Sequence, residues 1–151
     1  MVMYFEDFKI GSRFASKERE VTRADIEEFA HLTGDQNKLH VDPDFALKSG
    51  YSGVIAHGLL TLSIALGLWH SLDLTNGTII AFAGLNNVSF RAPVYPNDKL
   101  QLIAEVSGKR ESRSRPQIGL LTLKMSLIDK EKGIPVLEAE PVLMLQRKGY
   151  P

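Results

Sequence analysis

The chain has 151 residues, with 18 basic and 18 acidic side chains and a formal net charge of zero. That length fits a single domain, residues 1–151, which buries roughly 68–70% of the surface its unfolded form exposes. The charge balance argues against a broad nucleic-acid or anionic-membrane footprint, and the lack of cysteine excludes disulfides, thiolate metal sites and a cysteine nucleophile.

Residues 1–7 lack the basic start and long apolar core of a secretory signal, so a cytoplasmic address is the expectation. Residues 13–22 are polar and ambiguous, with an edge strand after a turn at Gly11 as one reading. Thr22 then matches an N-cap, with Asp25 three residues on in a capping-box arrangement. Ile26, Phe29 and Ala30 recur at helical spacing before Gly34 ends the helix. Asp42 and Pro43 open a short second helix that Gly50 closes, which leaves residues 35–41 as a loop between helices.

Residues 58–69 are apolar around nearly the whole circumference of a helix, the pattern of a helix surrounded by protein. Such a helix spans only about 18 Å against about 30 Å of hydrocarbon, so it is a core element and not a membrane span. The remainder predicts strands over 78–91, 99–110, 117–129 and 136–147, with alternation at Leu100, Leu102, Ala104 and Val106 and again at Leu121, Leu123, Met125 and Leu127. A turn at 129–133 and a polar connection at 107–116 suggest an antiparallel meander. Long strands curl, and a curled sheet with one apolar face satisfies an all-apolar helix by wrapping it, an α+β arrangement.

Asp35 follows a helix end, where the negative end of the dipole disfavours an anion. Asp42 holds the capping slot instead, and a carboxylate kept at such a place suits a general base. His40 is close enough in a folded loop to share one water with it. The alternatives are a solvated loop carboxylate and a hydrogen-bonded structural histidine. Gly58 offers an orphan N–H at a helix start, able to meet enolate charge on a carbonyl oxygen; the alternative is a glycine used for tight packing. Ser63, one turn further in, either adds a substrate hydrogen bond or returns one to its own helix backbone. His31 and His70 read as structural or surface residues, and no histidine pair has the spacing of a zinc helix motif, so no metal site is expected.

The run Phe29-Ala-His-Leu-Thr-Gly-Asp35-Gln-Asn37-Lys-Leu39-His40-Val-Asp42-Pro-Asp-Phe45-Ala46, followed by Ile55-Ala-His57-Gly58-Leu-Leu, resembles the MaoC-like, R-specific enoyl-CoA hydratase family. Val88-Ser-Phe90-Arg-Ala-Pro93-Val94-Tyr-Pro-Asn97-Asp98 is similar to that family's F-x-x-P-V-x-x-G-D signature. The resemblance implies a hot-dog fold, Asp35 and His40 as the hydration dyad, the Gly58 amide as the thioester-carbonyl donor and Asn37 as a brace for the dyad loop. It also implies a homodimer or higher homo-oligomer with CoA near the subunit interface. Two positions depart from the pattern: Lys38 replaces a proline, which removes a fixed φ, and Asn97 replaces a glycine, a mild change because Asn tolerates left-handed backbone. A serine that some hydratases place further along the helix corresponds to Leu66.

The expected activity is hydration of a trans-2-enoyl-CoA, or of an acyl carrier protein thioester, to the (R)-3-hydroxyacyl thioester, and the reverse dehydration. Asp35 draws the proton from water attacking Cβ, His40 protonates Cα, and Gly58 holds the enolate oxygen. No cofactor is expected beyond the CoA of the substrate, and neither nucleic acid nor membrane is an expected partner. Two alternatives are an acyl-CoA thioesterase and a non-catalytic subunit of a heteromeric dehydratase. The basic cluster at 109–115 fits a solvated hairpin tip better than a contact to CoA phosphates.

Overall fold

A computed structural model describes residues 1–151. A short 3₁₀ turn, Phe5–Asp7, precedes strands β1 (Arg13–Ala15) and β2 (Arg19–Glu20). Helices α1 (Arg23–Thr33), α2 (Lys38–Val41), α3 (Pro43–Lys48) and α4 (Gly58–Ser71) follow, then strands β3 (Ile79–Phe90), β4 (Lys99–Glu111), β5 (Ile118–Asp129) and β6 (Ile134–Gln146). No helix is long and apolar enough to cross a membrane.

Local chemistry places the helix ends. Thr22 Oγ1 accepts the Asp25 N–H at 3.0 Å while Asp25 accepts the Thr22 N–H at 2.9 Å, and Gly34, at φ 78°, closes α1. Asp42 caps α3 through the Phe45 N–H at 3.1 Å, with Pro43 at the first helical position. The loop expected over 35–41 instead contains α2, capped by Asn37 Oδ1 on the Leu39 N–H at 3.0 Å. One helical turn is too short to display a hydrophobic period.

The six strands form one antiparallel sheet in the order β1-β4-β5-β6-β3, with β2 also on β4. The ambiguous 13–22 segment thus supplies two short strands at one edge. The meander holds for β4, β5 and β6, but β3 pairs with β6 at the far edge and not with β4. The reason lies in the β3–β4 connection, which contains Pro93 and Pro96 and spends its backbone elsewhere: Val94 accepts from the Ala56 N–H and the Asn97 N–H donates to Val21. Asn97 sits at φ 75°, in the left-handed geometry that Asn tolerates.

The inward rows Leu100, Leu102, Ala104 and Val106 on β4 and Leu121, Leu123, Met125 and Leu127 on β5 join Leu60, Ile64, Ala65, Leu68 and Trp69 of α4 in one buried cluster. A curled antiparallel sheet packed on a central helix is the hot-dog arrangement. The sheet does not enclose α4 on all sides, however: Leu59 is 62% exposed, and Ser63, Gly67 and His70 share its open face. A single sheet covers one side of a helix, and in one chain the other side of α4 stays uncovered.

Candidate active site

Asp35 emerges directly from the α1 cap. Its N–H donates to Thr33 Oγ1 at 3.2 Å and its carboxylate accepts the Asn37 N–H at 3.2 Å. Asn37 therefore braces the loop twice, through its amide to Asp35 and through its side chain to α2. Lys38 occupies the first position of α2, where hydrogen bonds, including Asp42 N–H to the Lys38 carbonyl at 2.9 Å, hold the turn without a proline ring.

His40, on α2, faces the segment that leads into α4. Its Nδ1 lies 2.7 Å from the Ile55 carbonyl oxygen. A carbonyl only accepts, so Nδ1 carries the hydrogen and Nε2 of the neutral ring is a bare acceptor. Burial pushes the His40 proton affinity below its ordinary value; the bond to Ile55 opposes this, neighbouring His57 adds to it, and Asp35 opposes it.

His57 immediately precedes α4 and is buried. Its Nε2 lies 3.0 Å from the Asp35 carbonyl oxygen, its ring stacks on His40 with centroids 3.8 Å apart, and Phe29 flanks it at 4.9 Å. Polar atoms of Asp35, His40 and His57 all lie within 4.8 Å of one another. That cluster is poorly shaped for a metal ion. Imidazole lone pairs lie in the ring planes, and two planes tilted by only 27° do not converge within the roughly 2.0–2.1 Å that a zinc–nitrogen bond needs.

These groups open on a cavity of about 520 Å³, whose lining includes Asp35, His40, His57 and Gly58 together with the apolar Leu59, Phe90, Val94 and Val136. Gly58, the first residue of α4, has no intrahelical acceptor for its N–H. A Cβ at this position would lie 2.8 Å from a ring carbon of Phe90, so tight packing requires the glycine independently of any carbonyl-binding role. Asp35, His40 and Gly58 are thus brought together, with Asn37 behind them.

Ser63 is not. Its hydroxyl is exposed, donates to the Leu59 carbonyl at 2.8 Å and does not line the cavity. Thr61 does line it, with its own hydroxyl on the Gly58 carbonyl at 2.6 Å. His57, Tyr51 and Phe90, to which the sequence assigned no role, line the cavity as well. For His57 a signal was present in its place directly before the core helix. The basic cluster at 109–115 does not line the cavity: it adjoins the end of the sheet where Ile118 faces Gln146, ten residues along β6 from Val136.

A family model described as MaoC like domain matches residues 7–125. The chain is 35% identical over 145 residues to uncharacterized protein YdeM of Bacillus subtilis (strain 168), covering 96% of this chain and 100% of that one. It is 32% identical over 117 residues to 3-hydroxybutyryl-CoA dehydratase of Methylorubrum extorquens, covering 78% of this chain and 72% of the relative. The structure superposes on that of a monoamine oxidase regulatory protein from Archaeoglobus fulgius with a TM-score of 0.90 at 34% identity, over 97% of this chain and 96% of the other. The family match runs through the Asp35–His40 loop, the Gly58 helix start and the Phe90–Asp98 connection, and the chain belongs to the MaoC-like domain family.

Proposed function

We propose that the protein adds water to a trans-2-enoyl thioester, carried by CoA or by an acyl carrier protein, giving the (R)-3-hydroxyacyl thioester, and runs the reverse dehydration. The observation that carries this reading is the meeting of two proton acceptors, the Asp35 carboxylate and His40 Nε2, with the Gly58 amide at one partly apolar cavity. A water between the acceptors donates one hydrogen to each and keeps a lone pair for Cβ. As the Cβ–O bond forms, the alkene π electrons move toward the thioester oxygen, where the Gly58 N–H holds the developing charge; one such donor is worth on the order of 3 kcal/mol.

The His40 tautomer refines the proton path expected from the sequence. With Nδ1–H committed to Ile55, neutral His40 has no proton to give at the outset. It takes one from the attacking water at Nε2 and delivers it to Cα as the carbonyl re-forms, while the Asp35 carboxylate orients the water and balances the transient imidazolium. Burial favours the neutral ring that must accept. Lowering the pH protonates Nε2 and removes the acceptor, so the acid limb of kcat/KM is expected below about pH 6.5. Phe90, Val94 and Val136 supply apolar wall for the acyl chain, and the proposed reaction calls for no cofactor beyond the thioester carrier of the substrate.

The working form in this reading is a homodimer. β3 is an unpaired edge of 12 residues with Ile80, Phe82, Val88 and Phe90 exposed, and α4 leaves Leu59 uncovered. A long apolar edge of this kind is normally covered, and a second copy of the chain is the occupant we assign to it.

Loss of the enoyl ultraviolet chromophore with crotonyl-CoA and longer homologues, with product chirality determined, tests the proposal. Asp35→Asn and His40→Ala are each expected to lower kcat by about 10²–10⁴-fold. Near-normal turnover in both variants would sink the dyad, and free CoA released from a saturated acyl-CoA would favour a thioesterase.

A further inference from the structure

One four-residue segment, 55–58, touches both residues of the candidate dyad and carries the helix-start amide. The Ile55 carbonyl accepts the His40 Nδ1–H, the His57 Nε2–H donates to the Asp35 backbone carbonyl, and Gly58 carries the amide. Two of these three contacts are made by groups with ordinary structural duties. The third is made by a side chain that packing alone does not explain.

His57 is 3% exposed and lies between Phe29 and His40. Its Nε2 faces a carbonyl oxygen and therefore carries the hydrogen, which leaves Nδ1 of the neutral ring as a lone-pair acceptor. That Nδ1 is buried with no hydrogen-bond partner. An apolar ring of similar size would fill the same space against Phe29 and His40 without orphaning a nitrogen. What only the imidazole provides is the bond to the Asp35 backbone, 22 residues away in the chain. Asp35 is otherwise held by short-range contacts alone, to Thr33 and Asn37, and none of these relates its carboxylate to α4. The His57 bond does so, and the same ring backs the flat face of His40 at 3.8 Å, which limits sideways movement of the second acceptor.

We propose that His57 is a positioning residue for the hydration reaction: its Nε2–H and its ring face register Asp35 and His40 on the helix-start amide beside them. This inference rests on the dyad reading. A misplacement of about 1 Å at such a site is enough to lower turnover by about 10- to 100-fold.

Two substitutions separate the donor from the ring. His57→Phe keeps an aromatic face against His40 and Phe29 and removes both the donor and the orphaned nitrogen. His57→Gln offers an amide N–H near the position of Nε2 and removes the ring. The full-length protein is assayed with crotonyl-CoA, thermal melting is recorded in parallel, and ¹⁵N spectra follow the Gln36 amide, whose peptide carbonyl accepts the His57 bond. For His57→Phe the expected result is a kcat lowered about 10- to 100-fold with KM within about twofold, a melting temperature no lower than that of the parent, and a displaced Gln36 resonance. His57→Gln is expected to recover part of kcat and to return the Gln36 resonance toward the parent position despite a lower melting temperature. Normal turnover in His57→Phe, or turnover that simply tracks melting temperature in the two variants, overturns the inference while an inactive Asp35→Asn leaves the dyad standing. An active Asp35→Asn overturns both, and an unmoved Gln36 resonance in His57→Phe overturns the inference without recourse to turnover.

Discussion

At its C-terminal end α4 places Trp69, fully buried, with its ring 6.2 Å from Phe8 and 5.7 Å from Phe14. At its N-terminal end the same helix places Gly58 beneath the half-exposed ring of Phe90, beside a cavity bordered by a carboxylate and two imidazoles. Unpartnered buried nitrogens occur at both ends, Trp69 Nε1 at one and His57 Nδ1 at the other. The indole offsets its loss with the large apolar area it removes from water. The imidazole has less area to offer, and its compensation is the bond that ties Asp35 to the helix. One helix therefore serves two ends: dense aromatic packing stabilises the fold at the first, and at the second polar groups are held at fixed separations beside a cavity.

The sharpest way to separate the two ends is Trp69→Ala, which is expected to cost about 3–5 kcal/mol in denaturant unfolding while turnover per folded molecule stays near the parent value. A fall in turnover of the folded fraction would show that the aromatic end also sets the site. Next in size is Gly58→Ala. Its new Cβ meets Phe90 at 2.8 Å and is expected to cost about 1–3 kcal/mol, most of which Phe90→Ala should restore in the double variant. If the double variant recovers stability but turns over more slowly than Phe90→Ala alone, the amide geometry and the packing contact are separable.

A smaller effect is expected in the connection that runs from the cavity to the start of α1. Asp98 accepts the Tyr95 N–H at 2.9 Å and lies 3.7 Å from Lys132 with Asp129 beside it. Burial, with help from Asp129, holds its proton affinity above the ordinary value. A raised folded value means that its stabilising contribution is complete below the unfolded carboxyl value of about 3.9 and is lost as pH rises through the folded value. Asp98→Asn mimics the protonated form, so its melting temperature should gain on the parent between pH 4 and pH 7. A gap that stays constant with pH would contradict the assignment. The smallest effect belongs to Ser63→Ala: stability within about 0.5 kcal/mol and an unchanged kcat, as befits a hydroxyl bonded to its own helix outside the cavity.

Much of this was legible beforehand, for reasons that differ by element. Period-two alternation in β4 and β5, and the Thr22/Asp25 and Asp42/Pro43 signals, are local and survive folding intact. Asp35 and Gly58 were legible as candidates from their places at helix ends and His40 from its closeness to Asp35, while their pairing as a dyad came from the resemblance to the MaoC-like family. The position of Ser63 was not, because a helix apolar on every side carries no phase: nothing in residues 58–69 says which stripe meets the cavity. The partner of β3 was equally hidden, since the two prolines that deny it a hairpin do not say which strand it joins.

Periodicity and capping residues, which act within a few positions of the chain, determined the element types and the α+β class, and the motif that resembles the MaoC-like family singled out Asp35 and His40 as the candidate dyad. The tertiary structure alone decided that Thr61 and not Ser63 faces the cavity, that β3 lies beside β6, and that residues 55–58 hydrogen-bond both Asp35 and His40. Those outcomes depend on contacts between residues 15 and more positions apart, such as His40 with Ile55 and His57 with Asp35, and separations of that kind leave no periodic trace in a sequence.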